Sequence, residues 1–143
     1  MCVPLQDNDE RIESYEVREI IQGCGAWTTN SQFHRGDVSY VLVNLARLKE
    51  YLDYNDVSEY KYISNDFDCN NFAAALMGDV TKWDSRLAFG IVWVKKPCDV
   101  DGKNAYHALN FCIAEDKNVW FIEPQTDAVF EVPAGWTITW LTM

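Results

Sequence analysis

Apolar positions recur at helical spacing through the first half of this 143-residue chain and run together or alternate through the second. Ser14 stands before "SYEVREIIQG" as an N-cap, and Gly23 marks a stop. "TTNSQFHRGD" reads as a loop. Asp37 is then placed to cap a second helix, on which Val38, Val41, Leu45, Leu48 and Leu52 share one apolar face. The acidic, tyrosine-rich "DYNDVSEYKYISND" reads as loop or short turns. A third helix is expected after Asp68, with Phe72, Ala75 and Leu76 on one face and Gly78 at its end.

From "LAFGIVWV" onward the pattern is that of strands. "AYHALNFCIA" and "NVWFIEP" are joined by "EDKN", a hairpin-type connection, and "AVFEV" and "WTITWL" follow between Pro, Gly and Asp punctuation. Helices first and an antiparallel sheet afterwards predict an α+β fold in a single domain, 1–143. Its helical part covers about 1–80 and its sheet part about 86–142.

Composition supports a folded core: 48% of residues are hydrophobic, with six Trp, seven Tyr and seven Phe. The formal net charge of −10 repels phosphate, so nucleic acid is not an expected partner. Acidic clusters can instead hold Ca²⁺, imitate nucleic acid toward a DNA-binding partner, or simply keep a chain soluble. "MCVPLQDNDERIES" has no leader-like pattern, and the longest apolar runs are too short for a bilayer. A cytoplasmic protein without membrane partners is expected, its oligomeric state left open.

Cys2, Cys24, Cys69, Cys98 and Cys112 show no C-x-x-C spacing, and two histidines make no zinc pattern. These cysteines are expected as thiols. Cys69 alone falls at a predicted helix start, where the dipole and free N–H groups favour a thiolate and can hold an oxyanion. His107 in "AYHALNF" is a candidate base and Glu123 in "WFIEPQ" a candidate orienting group, on strands that the hairpin makes neighbours. Singly, each has a plainer reading: a core cysteine, a hydrogen-bonded strand histidine, a strand-end acid. Their order, Cys then His then acid, is that of papain-like enzymes. "GCGAW" superficially matches the stretch around a papain nucleophile, but Ala26 stands at the nucleophile position, and His34 reads as surface.

"DFDCNNFAAALMG", "YHALNF" and "WFIEPQT" together resemble the C-terminal domain of agglutinins of the Marasmius oreades type, with stand-alone relatives in bacteria and phages. The resemblance covers about residues 60–133. It implies a papain-like fold, N-terminal helices packed on a C-terminal antiparallel sheet. It also implies a Cys69–His107–Glu123 triad and activation by Ca²⁺ near Asp66, Asp68, Asn70, Asn71 and Gln125. The family's acidic residues after the cysteine are Asn70 and Asn71 here, which weakens any metal site. The agglutinin's lectin part has no counterpart, so the resemblance implies no sugar binding. The expected function is thus a small cysteine hydrolase, an endopeptidase acting on protein or peptide. The alternatives are a peptidoglycan peptide hydrolase and, in a different class, a non-catalytic acidic binding or inhibitor protein of the phage counter-defence type.

Overall fold

In the computed structural model, residues 10–97 and 106–143 are described. Cys2, Cys98 and the start of the chain read for a leader lie outside them. The chain enters through β1 (Arg11–Glu13) and turns directly into α1 (Ser14–Gln22). Glu13, not Ser14, takes the cap position, and no side chain caps this helix. The stretch expected as loop contains β2 (Gln32–His34), and β3 (Ser39–Val41) follows.

The second expected helix is therefore displaced. Val38 is exposed and Val41 is in a strand, while α2 (Leu45–Tyr54) starts a turn later, capped by the Asn44 side chain accepting from Arg47 N–H at 3.1 Å. Two β-branched valines beside Ser39 and Tyr40 satisfy a strand as well as a helix, and pairing of β3 with β1 decides between them. A single 3-10 turn, Val57–Glu59, leads to α3 (Cys69–Trp83). This helix runs through Gly78 instead of ending there. A Cβ at Gly78 would meet open space, so nothing but intrinsic propensity opposes the helix at that point.

The remaining strands are β4 (Phe89–Lys95), β5 (Tyr106–Ile113), β6 (Val119–Glu123), β7 (Ala128–Glu131) and β8 (Thr137–Thr142). With β2 they form a six-stranded sheet in the order β2-β8-β4-β5-β6-β7, antiparallel except for the parallel β2–β8 pair. β1 and β3 make a separate antiparallel pair.

Side-chain alternation divides the core between the two faces of the large sheet. Val92, Leu109, Phe111, Phe121 and Ile138 pack with Val17 and Ile21 of α1. Phe89, Cys112 and Ile122 pack with Leu48 and Leu52 of α2 and with Phe72, Leu76 and Val80 of α3. The sheet is thus a middle layer, and each large apolar side chain buried against it contributes about 1.5–3 kcal/mol. No helix among the described residues is long and apolar enough to cross a membrane.

Candidate functional site

Asp68 and Asn71 fix the start of α3. They form a capping box, with Asn71 Oδ1 accepting from Asp68 N–H at 3.1 Å. Cys69 is the first helical residue and is partly buried. One turn on, Asn110 of β5 ties the helix to the sheet: its Nδ2 donates to Ala73 O at 2.9 Å and to Gly90 O at 3.1 Å.

His107 and Glu123 meet across β5 and β6, Nε2 to Oε2 at 2.5 Å. Register explains the contact. Asn110 pairs with Ile122, so Glu123 lies diagonally from His107 on the same sheet face. Burial raises the Glu123 carboxyl, but the His107 hydrogen bond and charge, the Gln125 N–H donating to Oε1 at 3.2 Å and the charge of Lys96 outweigh it. The net shift is downward, so the carboxylate accepts and His107 Nε2 carries the proton of this bond.

The three expected triad residues are not brought together as one hydrogen-bonded unit. His107 and Glu123 are joined, whereas the Cys69 thiol makes no hydrogen bond to the His107 ring among the described residues. By alternation His107 shares its face with Leu109 and Phe111, while Asn110, which meets α3, shares the other with Cys112. Cys112 itself is fully buried, its thiol pushed far up by burial.

Of the expected calcium ligands, Asp68 caps α3 and Asn70 and Asn71 lie in its first turn, while Gln125 follows β6. Ca²⁺ takes roughly six to eight oxygens with carboxylate charge among them. Asp66 is exposed, Asn70 points no charge anywhere, and Asn71 Oδ1 is engaged as a cap. Asp68 Oδ1 is buried without a partner, the single feature of the set that suits a cation. No cluster of three or more His, Cys, Asp or Glu able to hold a metal occurs among the described residues.

A second cleft was not foreseen. Arg18 of α1, Trp27, Ser31 and the β2 segment Gln32, Phe33, His34 and Arg35 line a cavity of about 340 Å³. Phe33 and Trp27 meet edge to face at 6.5 Å, and the Arg35 guanidinium lies 5.3 Å over the Phe33 ring. Buried Ser31 pins the wall, donating to Ile138 O at 2.6 Å and accepting from Thr28 N–H at 2.9 Å. The signal was present in "QFHR", adjacent aromatic, imidazole and guanidinium groups in a chain with 22 acids and 12 bases. Arg18 completes it from a distant point in sequence.

Several solved structures share this fold. One is titled as the PSL1a-E64 complex, with TM-score 0.79 and 18% identity over 93% of this chain and 51% of that one. Another is the Polyporus squamosus lectin bound to the human-type influenza-binding epitope Neu5Acα2-6Galβ1-4GlcNAc, with TM-score 0.74 and 18% identity over 93% and 49%. The chain spans about half the length of these two. No curated protein matches it. The family model for the ricin-type β-trefoil lectin C-terminal domain matches residues 13–138.

The resemblance to an agglutinin C-terminal domain therefore stands, but its papain-like peptidase part does not. The expected cysteine hydrolase, on protein, peptide or peptidoglycan, is corrected. The matched family model is that of the C-terminal domain of ricin-type β-trefoil lectins, not of a peptidase. With the match running through residues 13–138, the chain belongs to the ricin-type β-trefoil lectin C-terminal domain family.

Proposed function

We propose that this chain is a non-catalytic binding domain for a glycan-bearing ligand. The observation that carries the reading is the family match across residues 13–138. The sialylated glycan named with the Polyporus squamosus lectin supports the ligand class. The His107 and Glu123 side chains belong to this reading as groups that shape a polar surface across β5 and β6. A half-buried imidazole held by a carboxylate presents a fixed hydrogen-bonding edge, which suits ligand contact as well as proton transfer.

Calorimetric titration of the 143-residue chain with sialylated and neutral oligosaccharides tests the proposal. Saturable binding with the glycan recovered intact is expected, unchanged by Cys69→Ala. Turnover of a peptide substrate that Cys69→Ala abolishes would overturn it. So would alkylation of Cys69 by iodoacetamide far faster than that of Cys24, because selective thiolate reactivity marks a nucleophile.

A further inference from the structure

We infer that the outer edge of β2 docks an extended acidic segment of a protein partner, which adds to the sheet beside Phe33 and Arg35 with its carboxylates on Arg18 and Arg35. The inference stands apart from the glycan-binding reading and concerns a different class of ligand.

β2 is an outermost strand of the six-stranded sheet and pairs with β8 alone. His34 O accepts from Met143 N–H at 3.0 Å, and Gly36 N–H donates to Met143 O at 3.1 Å. Alternate residues of this segment therefore turn their backbone groups toward β8. In a parallel pair both groups of one residue point the same way, which leaves the N–H and C=O of Phe33 and Arg35 on the open side. No turn, loop or cap bond among the described residues takes them up. The cavity of about 340 Å³ follows this edge: Gln32 and His34 on one face of the strand and Phe33 on the other all line it, with Arg18 of α1 opposite. Side chains of both faces share one cavity where that cavity wraps the rim of the strand.

The charge along the edge is opposite to that of the chain. Arg18 and Arg35 line the cavity and no carboxylate does, in a protein of net charge −10. Neither guanidinium is in an ion pair among the described residues. Arg35 Nη1 donates to Ser14 O at 3.1 Å and its guanidinium lies 5.3 Å over the Phe33 ring, which holds it beside the edge, while Arg18 is exposed. Charged side chains on an edge strand ordinarily guard it against pairing. Both here are positive, so they oppose cationic segments and favour acidic ones through guanidinium–carboxylate contacts. A second copy of this chain does not fit, because joining two β2 edges sets like guanidiniums against each other. In strand addition the backbone bonds supply affinity and the flanking side chains supply the choice of partner.

Three peptides test this, followed by amide chemical shifts of the 143-residue chain. They are acetyl-Glu-Val-Glu-Val-Glu-amide, its lysine counterpart, and the acidic peptide N-methylated throughout. The acidic peptide is expected to bind and to shift residues 32–36. The lysine and N-methylated forms should each be weaker by at least about tenfold, the loss of a charge-assisted contact or of the backbone bonds. Arg18→Glu should weaken the acidic peptide by a similar factor with the rest of the spectrum unchanged, and Arg18→Lys should retain part of the binding. Equal binding of the lysine peptide would overturn the charge assignment. Equal binding of the N-methylated peptide would overturn strand addition and leave a simple anion cleft. Acidic-peptide binding that survives Arg18→Glu would overturn the site, and shifts with none of the peptides would overturn the inference as a whole. A dimer of the free chain that the acidic peptide dissociates would make the occupant a second copy and overturn the partner class.

Discussion

His107 and Glu123 are locked across adjacent strands, Nε2 to Oε2 at 2.5 Å, with the Gln125 N–H holding the other carboxylate oxygen at 3.2 Å. Because the folded carboxyl is shifted below its ordinary value of 4.5, the pair contributes stability that is present above that value and lost as pH falls through the lowered one. Glu123→Gln should cost about 1.5 kcal/mol at neutral pH, the scale of a charged hydrogen bond. Urea denaturation of both proteins should show the gap closing below pH 4.5. A gap that persists undiminished in acid would mean that Glu123 acts through packing alone.

Gly78 lies inside α3 with no atom within 4 Å of a built Cβ. Alanine there restricts the unfolded chain without touching the folded one. Gly78→Ala should raise stability by about 0.5–1 kcal/mol, read as a higher thermal midpoint.

Gly90 is the opposite case. A Cβ at this β4 position would collide with the backbone oxygen of Thr142 and come within 2.8 Å of the Phe111 ring. The β4–β8 pair has no room to shift, since β4 is hydrogen-bonded on both sides. Gly90→Ala should destabilise by about 1–3 kcal/mol, and a midpoint equal to that of the native chain would contradict the close approach.

What was legible in the sequence follows from which forces are local. The start of α3 at Cys69 was readable because Asp68, Asn71 and the Phe72–Leu76 spacing all act within two turns. The β5–β6 hairpin, and with it the His107–Glu123 contact, was readable because a short connection fixes the register. β2 was not, because its partner β8 is a parallel strand more than a hundred residues away: Phe33 pairs with Leu141. The helix expected from Asp37 failed for a similar reason, β3 being held by β1 across α1. Of the expected triad, the His107–Glu123 pair is joined, while no hydrogen bond links Cys69 to it among the described residues. Sequence order put Cys69, His107 and Glu123 on α3, β5 and β6, and the pleat of β5 sets the face that His107 takes.

Calcium provides the last test, at the same helix start. Asp68 Oδ1 is buried and unpartnered, which an ion would relieve, yet Asn70 and Asn71 add no charge and Asn71 Oδ1 is committed to the Asp68 N–H. The expected native outcome is heat of binding only at millimolar Ca²⁺ or above, the weak end of protein sites. Asn71→Asp keeps the cap, since a carboxylate accepts from the same N–H, and Asn70→Asp adds a second charge. The double variant should therefore bind Ca²⁺ more tightly than the native chain, by about tenfold or more, and be stabilised by the ion in thermal melts. In the absence of Ca²⁺ it should be slightly less stable than the native chain, because the new carboxylates repel Asp66 and Asp68. If calorimetry detects Ca²⁺ in neither form, Asp66 and Asp68 act only as loop and helix-start residues, and the resemblance carries no metal into this chain.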